Sequence, residues 1–228
     1  MSNKKNKEDK YGDNEIYESW MDNNVFFPIA KKLVDPLRQY GLTPNMVTSI
    51  STIFTFLAIY FIYLKQYENA AISYALGYIF DCIDGIMARK YNMTSNFGMA
   101  FDLVSDNISN LCLIIFLIYS RGIFNYYVPI IIIISFIISI SYGMNEAIAC
   151  YKKTGNDNFY KNKIKELKNE NNIIYDMFLF IIRLSYNSYK TFFPKYNKNN
   201  IYKWLKFLKE FGPGNYCLII IIIILFLD

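Results

Sequence analysis

The stretch that decides the fold reads Asp81-Cys82-Ile83-Asp84-Gly85-Ile86-Met87-Ala88-Arg89, then eight residues, then Gly98-Met99-Ala100-Phe101-Asp102-Leu103-Val104-Ser105-Asp106. Four aspartates sit here inside apolar sequence. A carboxylate at the centre of a membrane helix costs about 2.5–3.5 kcal/mol on insertion scales, so four of them require a compensating cation or a water-filled cavity. On a helix, residues three or four apart share a face, so Asp81 with Asp84, and Asp102 with Asp106, each project from one side of their segment. The short polar link 90–96 makes the two segments a hairpin and sets the four carboxylates at matching depth near one end. Gly85 beside Asp84 and Gly98 one turn before Asp102 remove side-chain bulk where a backbone or flat ligand approaches closely.

Outward from this hairpin the chain is apolar. Hydrophobic residues make up 54% and aromatic residues 18% of its 228 positions, one domain in length but too apolar for an ordinary soluble one. Four spans are expected over 45–64, 70–89, 97–119 and 126–150, and a fifth over 216–227, each near the length that crosses a bilayer core. Upstream, Phe26, Ile29, Ala30, Leu33, Val34 and Leu37 recur at helical spacing with Lys31, Lys32, Asp35 and Arg38 between them. This predicts an amphipathic helix on the membrane surface, kinked or ended by Pro36 and followed by a turn at Gly41 and Pro44. Residues 1–14 are polar and read as a disordered tail, 15–43 as the interfacial helix region, and 44–228 as the membrane domain.

Segment 173–193 is apolar but carries Asp176, Arg183 and Lys190 seven residues apart on one helical face. Lys and Arg concentrate in cytosolic loops. With the N-terminus inside and 173–193 along the cytosolic interface, all but Lys65 and Arg121 of the 24 basic residues fall on one side. The reading is therefore an all-α multi-pass membrane protein: a surface helix plus five or six transmembrane helices around a polar cavity, with the aspartates facing the cytosol.

The chain contains no His, which removes Ser-His and Cys-His arrangements and the usual zinc ligand. Cys82, Cys112, Cys150 and Cys217 have no paired spacing and suggest no disulfide framework. Nothing supports a nucleic-acid partner. Clustered carboxylates suit hard divalent cations, Mg2+ or Mn2+, and four can share two ions. A pair of ions roughly 3.5–4 Å apart can hold a diphosphate and stabilise a leaving phosphate, which points to phosphoryl transfer. Arg89, one turn beyond Gly85, is placed to contact phosphate. A cation transporter is the rival reading, but its ion sites usually lie at the bilayer midplane rather than near one end.

The spacing Asp81-x-x-Asp84-Gly85-x-x-Ala88-Arg89-x8-Gly98-x-x-x-Asp102-x-x-x-Asp106 resembles the signature of the CDP-alcohol phosphatidyltransferases, with all eight specified positions present. The resemblance implies a dimeric membrane enzyme of six helices around a cavity open to the cytosol. It would transfer a substituted phosphate from a CDP-linked donor to an alcohol, releasing CMP. By that resemblance Asp81, Asp84 and Asp102 ligate two divalent ions, and Asp106 ligates one and acts as general base. Gly85, Ala88 and Arg89 border the nucleotide and diphosphate, and the stretch Pro44-Asn45-Met46-Val47-Thr48 resembles the nucleotide-side motif, with Asn45 alternatively a plain helix cap. The run Ala88 to Asn92, with Phe97-Gly98 and Asp102 to Asp106, looks like phosphatidylinositol synthases, which use CDP-diacylglycerol and inositol. Those enzymes typically have Arg where this chain has Asn107. A CDP-choline or CDP-ethanolamine type phosphotransferase and an inactive homologue with one span fewer stand as alternatives.

Overall fold

The computed structural model describes residues 18–121, 127–167 and 172–227, so the tail expected over 1–14 lies outside the described residues. The helices are α1 (Phe27–Gln39), α2 (Pro44–Tyr63), α3 (Tyr67–Lys90), α4 (Asn96–Arg121), α5 (Tyr127–Thr154), α6 (Phe159–Glu166), α7 (Ile173–Phe192), α8 (Lys198–Leu208) and α9 (Pro213–Leu225), with no strand among the described residues. Among the described residues, five stretches are long and apolar enough to cross a membrane: Pro44–Tyr63, Tyr67–Lys90, Asn96–Tyr119, Val128–Thr154 and Lys198–Leu225. The last takes in α8 as well as α9.

A π-helical turn, Asp22–Phe26, leads into α1, and Pro36 lies inside α1 rather than ending it. The chain leaves α1 through Gly41, whose φ of +86° only glycine adopts freely, and enters α2 at Pro44. The N-cap is Thr43, whose side chain accepts from the Met46 backbone N–H; Asn45 is therefore not the cap. Buried Phe26, Ala30 and Val34 form the inner face of the amphipathic segment and pack on α3. Tyr78 pairs with Asp22, and Tyr91 with Asp35, both across a sequence separation of 56 residues. That constant offset makes α1 run parallel to α3. Its far end is pinned by Lys90, which meets Asp35 at 2.7 Å. Lys90 and then the Tyr91 hydroxyl hold the half-exposed Asp35 carboxyl below the usual carboxylate range.

In a bilayer, helices associate through close packing and polar contacts rather than transfer out of water. α2 is the most extensive partner of α3 and also packs on α4, whereas α3 and α4 make little direct backbone contact. They face one another across a gap. One apolar cluster joins α1, α2, α3 and α9 to Leu113, Leu117, Val128 and Ile131; the other joins Ala100 and Val104 to the second half of α5 and to α6, α7 and α8. α7 belongs to this second cluster. Its Tyr175, Phe178, Ile182, Ser185 and Tyr189 are buried against α4 and α5, and a Cβ on Gly143 would lie 2.7 Å from the Ser185 carbonyl oxygen. Its charged stripe points elsewhere: Asp176 and Arg183 are exposed, and Lys190 meets Asp157 at 2.6 Å. The four cysteines are unpaired.

Candidate active site

The gap between α3 and α4 opens into a cavity of about 440 Å³ lined by both helices and by α1, α2, α5, α7 and α9. Asp81, Asp84, Asp102 and Asp106 all line it, as do Gly85 and Arg89. Because Asp102 and Asp106 lie one turn apart on α4 while Asp81 reaches across from α3, one oxygen of each comes within 4.8 Å of the others. Oxygens bound to one hard cation at roughly 2.1–2.5 Å are at most about 4–5 Å apart, so this all-oxygen set fits a divalent ion.

Asp84 stands apart from that triad. It is 4% exposed, and its Oδ2 accepts the Thr48 hydroxyl at 2.5 Å. The hydroxyl lies 3.1 Å from the Pro44 carbonyl as well, so the capped start of α2 fixes the direction of this carboxylate. Thr48 acts through Asp84 and does not itself line the cavity.

The remaining expected residues divide in the same way. A Cβ on Gly85 would lie 3.2 Å from Arg89 Nη1, so the guanidinium covers the space that the missing side chain leaves. A Cβ on Gly98 would lie 3.0 Å from both Asn45 Oδ1 and Ser95 Oγ; Gly98 lets the start of α4 approach the start of α2. Asn45, Gly98 and Ala88 are not among the cavity-lining residues.

Sequence reasoning missed one wall entirely. Glu18, Phe27 and Lys31 of the N-terminal segment line the cavity. They are held there by Asp22, 1% exposed, which accepts from Tyr78 Oη at 2.6 Å, Ser19 Oγ at 2.7 Å and the Gly214 backbone N–H at 3.1 Å. Burial raises the Asp22 carboxyl above its ordinary range, opposed by those hydrogen bonds from Tyr78, Ser19 and Gly214. Ser135, Ser139, Ser185 and Tyr216, which also line the cavity, were missed as well. The available signal was weak: Ser135 and Ser139 lie one turn apart in an Ile-rich helix.

The sequence model of the CDP-alcohol phosphatidyltransferase family matches residues 41–186. The chain is 38% identical over 74 residues to the archaetidylinositol phosphate synthase of Pyrococcus horikoshii, covering 32% of this chain and 39% of that protein. It is 29% identical over 89 residues to the probable CDP-diacylglycerol–inositol 3-phosphatidyltransferase 2 of Arabidopsis thaliana, covering 39% of each. A third relative, the CDP-diacylglycerol–glycerol-3-phosphate 3-phosphatidyltransferase of Rickettsia felis, is 33% identical over 84 residues, covering 36% of this chain and 44% of that protein. The chain thus spans about two-fifths of the length of the curated relatives it matches. No solved structure matches it. Because the family model takes in well over half of the sequence, including both aspartate pairs, this chain belongs to the CDP-alcohol phosphatidyltransferase family.

Proposed function

We propose that the protein transfers a phosphatidyl group from CDP-diacylglycerol to a hydroxyl of a small alcohol, with inositol the favoured acceptor, and releases CMP. The observation that carries this reading is the convergence of Asp81, Asp102 and Asp106 from two helices over one cavity. Relatives named for inositol support the acceptor. Asp81, Asp102 and Asp106, with Asp84 beside them, would hold two divalent ions, Mg2+ or Mn2+. When bound, the ions supply positive charge that gathers the donor diphosphate and stabilises the departing phosphate.

The chain's own groups supply the rest. Arg89 and Lys31 line the cavity toward the hairpin and offer donors to the diphosphate. Asp106 takes the proton from the acceptor hydroxyl. The acceptor oxygen bonds to the phosphorus that carries the diacylglycerol, the bond from that phosphorus to the CMP oxygen breaks, and CMP leaves with the electron pair. The hairpin end of the cavity faces the cytosol in this reading, and two copies form the functional dimer.

The test is CMP release by the purified chain in mixed micelles containing CDP-diacylglycerol, inositol and Mn2+ or Mg2+. Release that depends on acceptor and metal supports the reading. A folded protein that releases no CMP with any alcohol under either metal refutes it.

A further inference from the structure

The last apolar stretch, Lys198–Leu225, is not one helix. A tight helical turn, Lys209–Phe211, and an extended Gly212 separate α8 from α9. α9 ends beside the turn between α2 and α3, where Leu225 lines a pocket with Lys65, Tyr67 and Asn69. Its 13 residues cover about 20 Å of a bilayer core about 30 Å thick, which leaves α8 the depth between the start of α9 and the hairpin-side surface. Tyr196, just before α8, stacks on Tyr151 in the last turn of α5 with ring centroids 4.0 Å apart. That turn lies at the hairpin end, because α4 runs away from the hairpin and α5 returns towards it. The chain therefore enters the membrane through α8, and no residue of α8 lines the aspartate cavity.

α8 has two unlike faces. Ile201 and Leu205, four residues apart, are fully buried in the second apolar cluster. Lys203, midway between them in sequence, projects from the opposite side of the helix. Lys203 and Lys206 are exposed, and Trp204 and Phe207 beside them are 48% and 61% exposed. Neither lysine meets a carboxylate among the described residues. The nearest acid in sequence, Glu210, already meets Lys209 Nζ at 3.7 Å and accepts the Trp20 backbone N–H at 3.4 Å. At the start of the helix Lys198 lies over the Tyr202 ring, and Lys152, Lys153 and Lys195, next to the stacked Tyr151 and Tyr196, are exposed.

We propose that the outer face of α8 is a docking surface for anionic phospholipid of the hairpin-side leaflet. Trp204 and Phe207 enter the boundary between headgroups and acyl chains, while Lys203 and Lys206, with Lys198, hold headgroup phosphates. Two bland placements fit this face poorly. A helix in the hydrocarbon core would carry lysines on three successive turns, each costly there, and a helix in water would expose an indole and a phenyl ring side by side. At the boundary both demands are met, since lysine stems lie along apolar surface with their ammonium groups among the headgroups. The unpaired positive charge selects anionic over zwitterionic lipid. This assignment stands independently of the transfer reading.

The test uses the full chain reconstituted in phosphatidylcholine vesicles and quenching of tryptophan fluorescence by bromine-labelled acyl chains. The tryptophans are Trp20 and Trp204, so Trp20→Phe leaves Trp204 as the reporter and Trp204→Phe gives the background. Brominated phosphatidylglycerol replaces phosphatidylcholine in one titration, and brominated phosphatidylcholine does so in the other. Half-maximal quenching of Trp204 is expected at a lower fraction of the anionic lipid, by about 5-fold for each of Lys203 and Lys206. The preference should disappear when Lys203→Gln and Lys206→Gln are combined, and persist in Lys65→Gln at the opposite end of the fold. In the chain that keeps both lysines it should shrink at about 1 M salt, where the screening length falls to about 3 Å, a readout that needs no altered lysine. Equal quenching by the two lipids overturns the proposal, as does a preference that survives both the double substitution and the salt. Quenching by neither lipid also overturns it, since α8 would then face water, another protein or a second copy of the chain.

Discussion

Replacing Asp22 with Ala probes how the N-terminal wall of the cavity is held. The carboxylate accepts three hydrogen bonds from α3, α9 and its own turn, at 2.6 Å from Tyr78, 3.1 Å from Gly214 and 2.7 Å from Ser19. Truncation leaves these donors buried and unmatched, at about 1–3 kcal/mol each, offset in part by relief of the buried carboxylate; the net loss is about 3 kcal/mol. For a chain of this size that lowers the unfolding midpoint by about 10 °C. The assay is thermal unfolding of the purified protein in detergent micelles, followed by circular dichroism and repeated between pH 4 and pH 7. The pH series has a definite sign. Because burial raises the Asp22 carboxyl above its ordinary value of 3.8, the unfolded chain loses this proton first as pH rises, so the native state binds more protons. The contribution of this group is greatest below pH 3.8 and is lost as pH rises through the raised value. Asp22→Asn should flatten that part of the profile relative to the unaltered protein. A midpoint for Asp22→Ala within about 2 °C of the unaltered protein would refute the argument, since it would mean that the donors find other partners.

Three further outcomes are expected. Asp106→Asn should lower CMP release by about 100-fold to 10,000-fold, the range for loss of a positioned general base, while leaving the thermal midpoint near that of the parent. Removing divalent ions with a chelator should abolish release, and added Mn2+ or Mg2+ should restore it; release that survives chelation would contradict the role of the aspartate triad. Gly143→Ala should destabilise the fold by about 1–3 kcal/mol in the same unfolding assay, because its Cβ would lie 2.7 Å from the Ser185 carbonyl and 2.8 Å from Tyr189 Cβ.

The aspartate pairs and the membrane helices that carry them were legible in the sequence because both signals are local. Carboxylate spacing follows helical geometry, and runs of apolar residues report span length; the expected span 45–64 is the helix Pro44–Tyr63. The different environments of the four aspartates were not legible. Asp84 differs from Asp81 in accepting the hydroxyl of Thr48, 36 residues away, and no local pattern records that contact. The short helices α6 and α8 were overlooked within a basic loop, since only a few positions of each are buried: Phe159 in α6, and Ile201 and Leu205 in α8. The pairing of serines from α5 and α7 in the cavity wall was hidden for a related reason. Serines on an Ile-rich helix read as ordinary membrane-helix composition until the fold brings Ser139 to Ser185.

The bond between Asp22 and the Gly214 backbone joins positions 192 residues apart. At synthesis rates of about 5–20 residues per second, the Asp22 carboxyl waits roughly 10–40 s after its own translation before that donor exists. During this interval α2, α3 and α4 have already entered the bilayer with the aspartates between them, while the stretch that supplies Pro213, Tyr216 and Cys217 to the same cavity is still on the ribosome. The nascent chain therefore passes through a stage in which its acidic centre is open on one flank. That flank closes only when α9 docks and the two distant segments latch together.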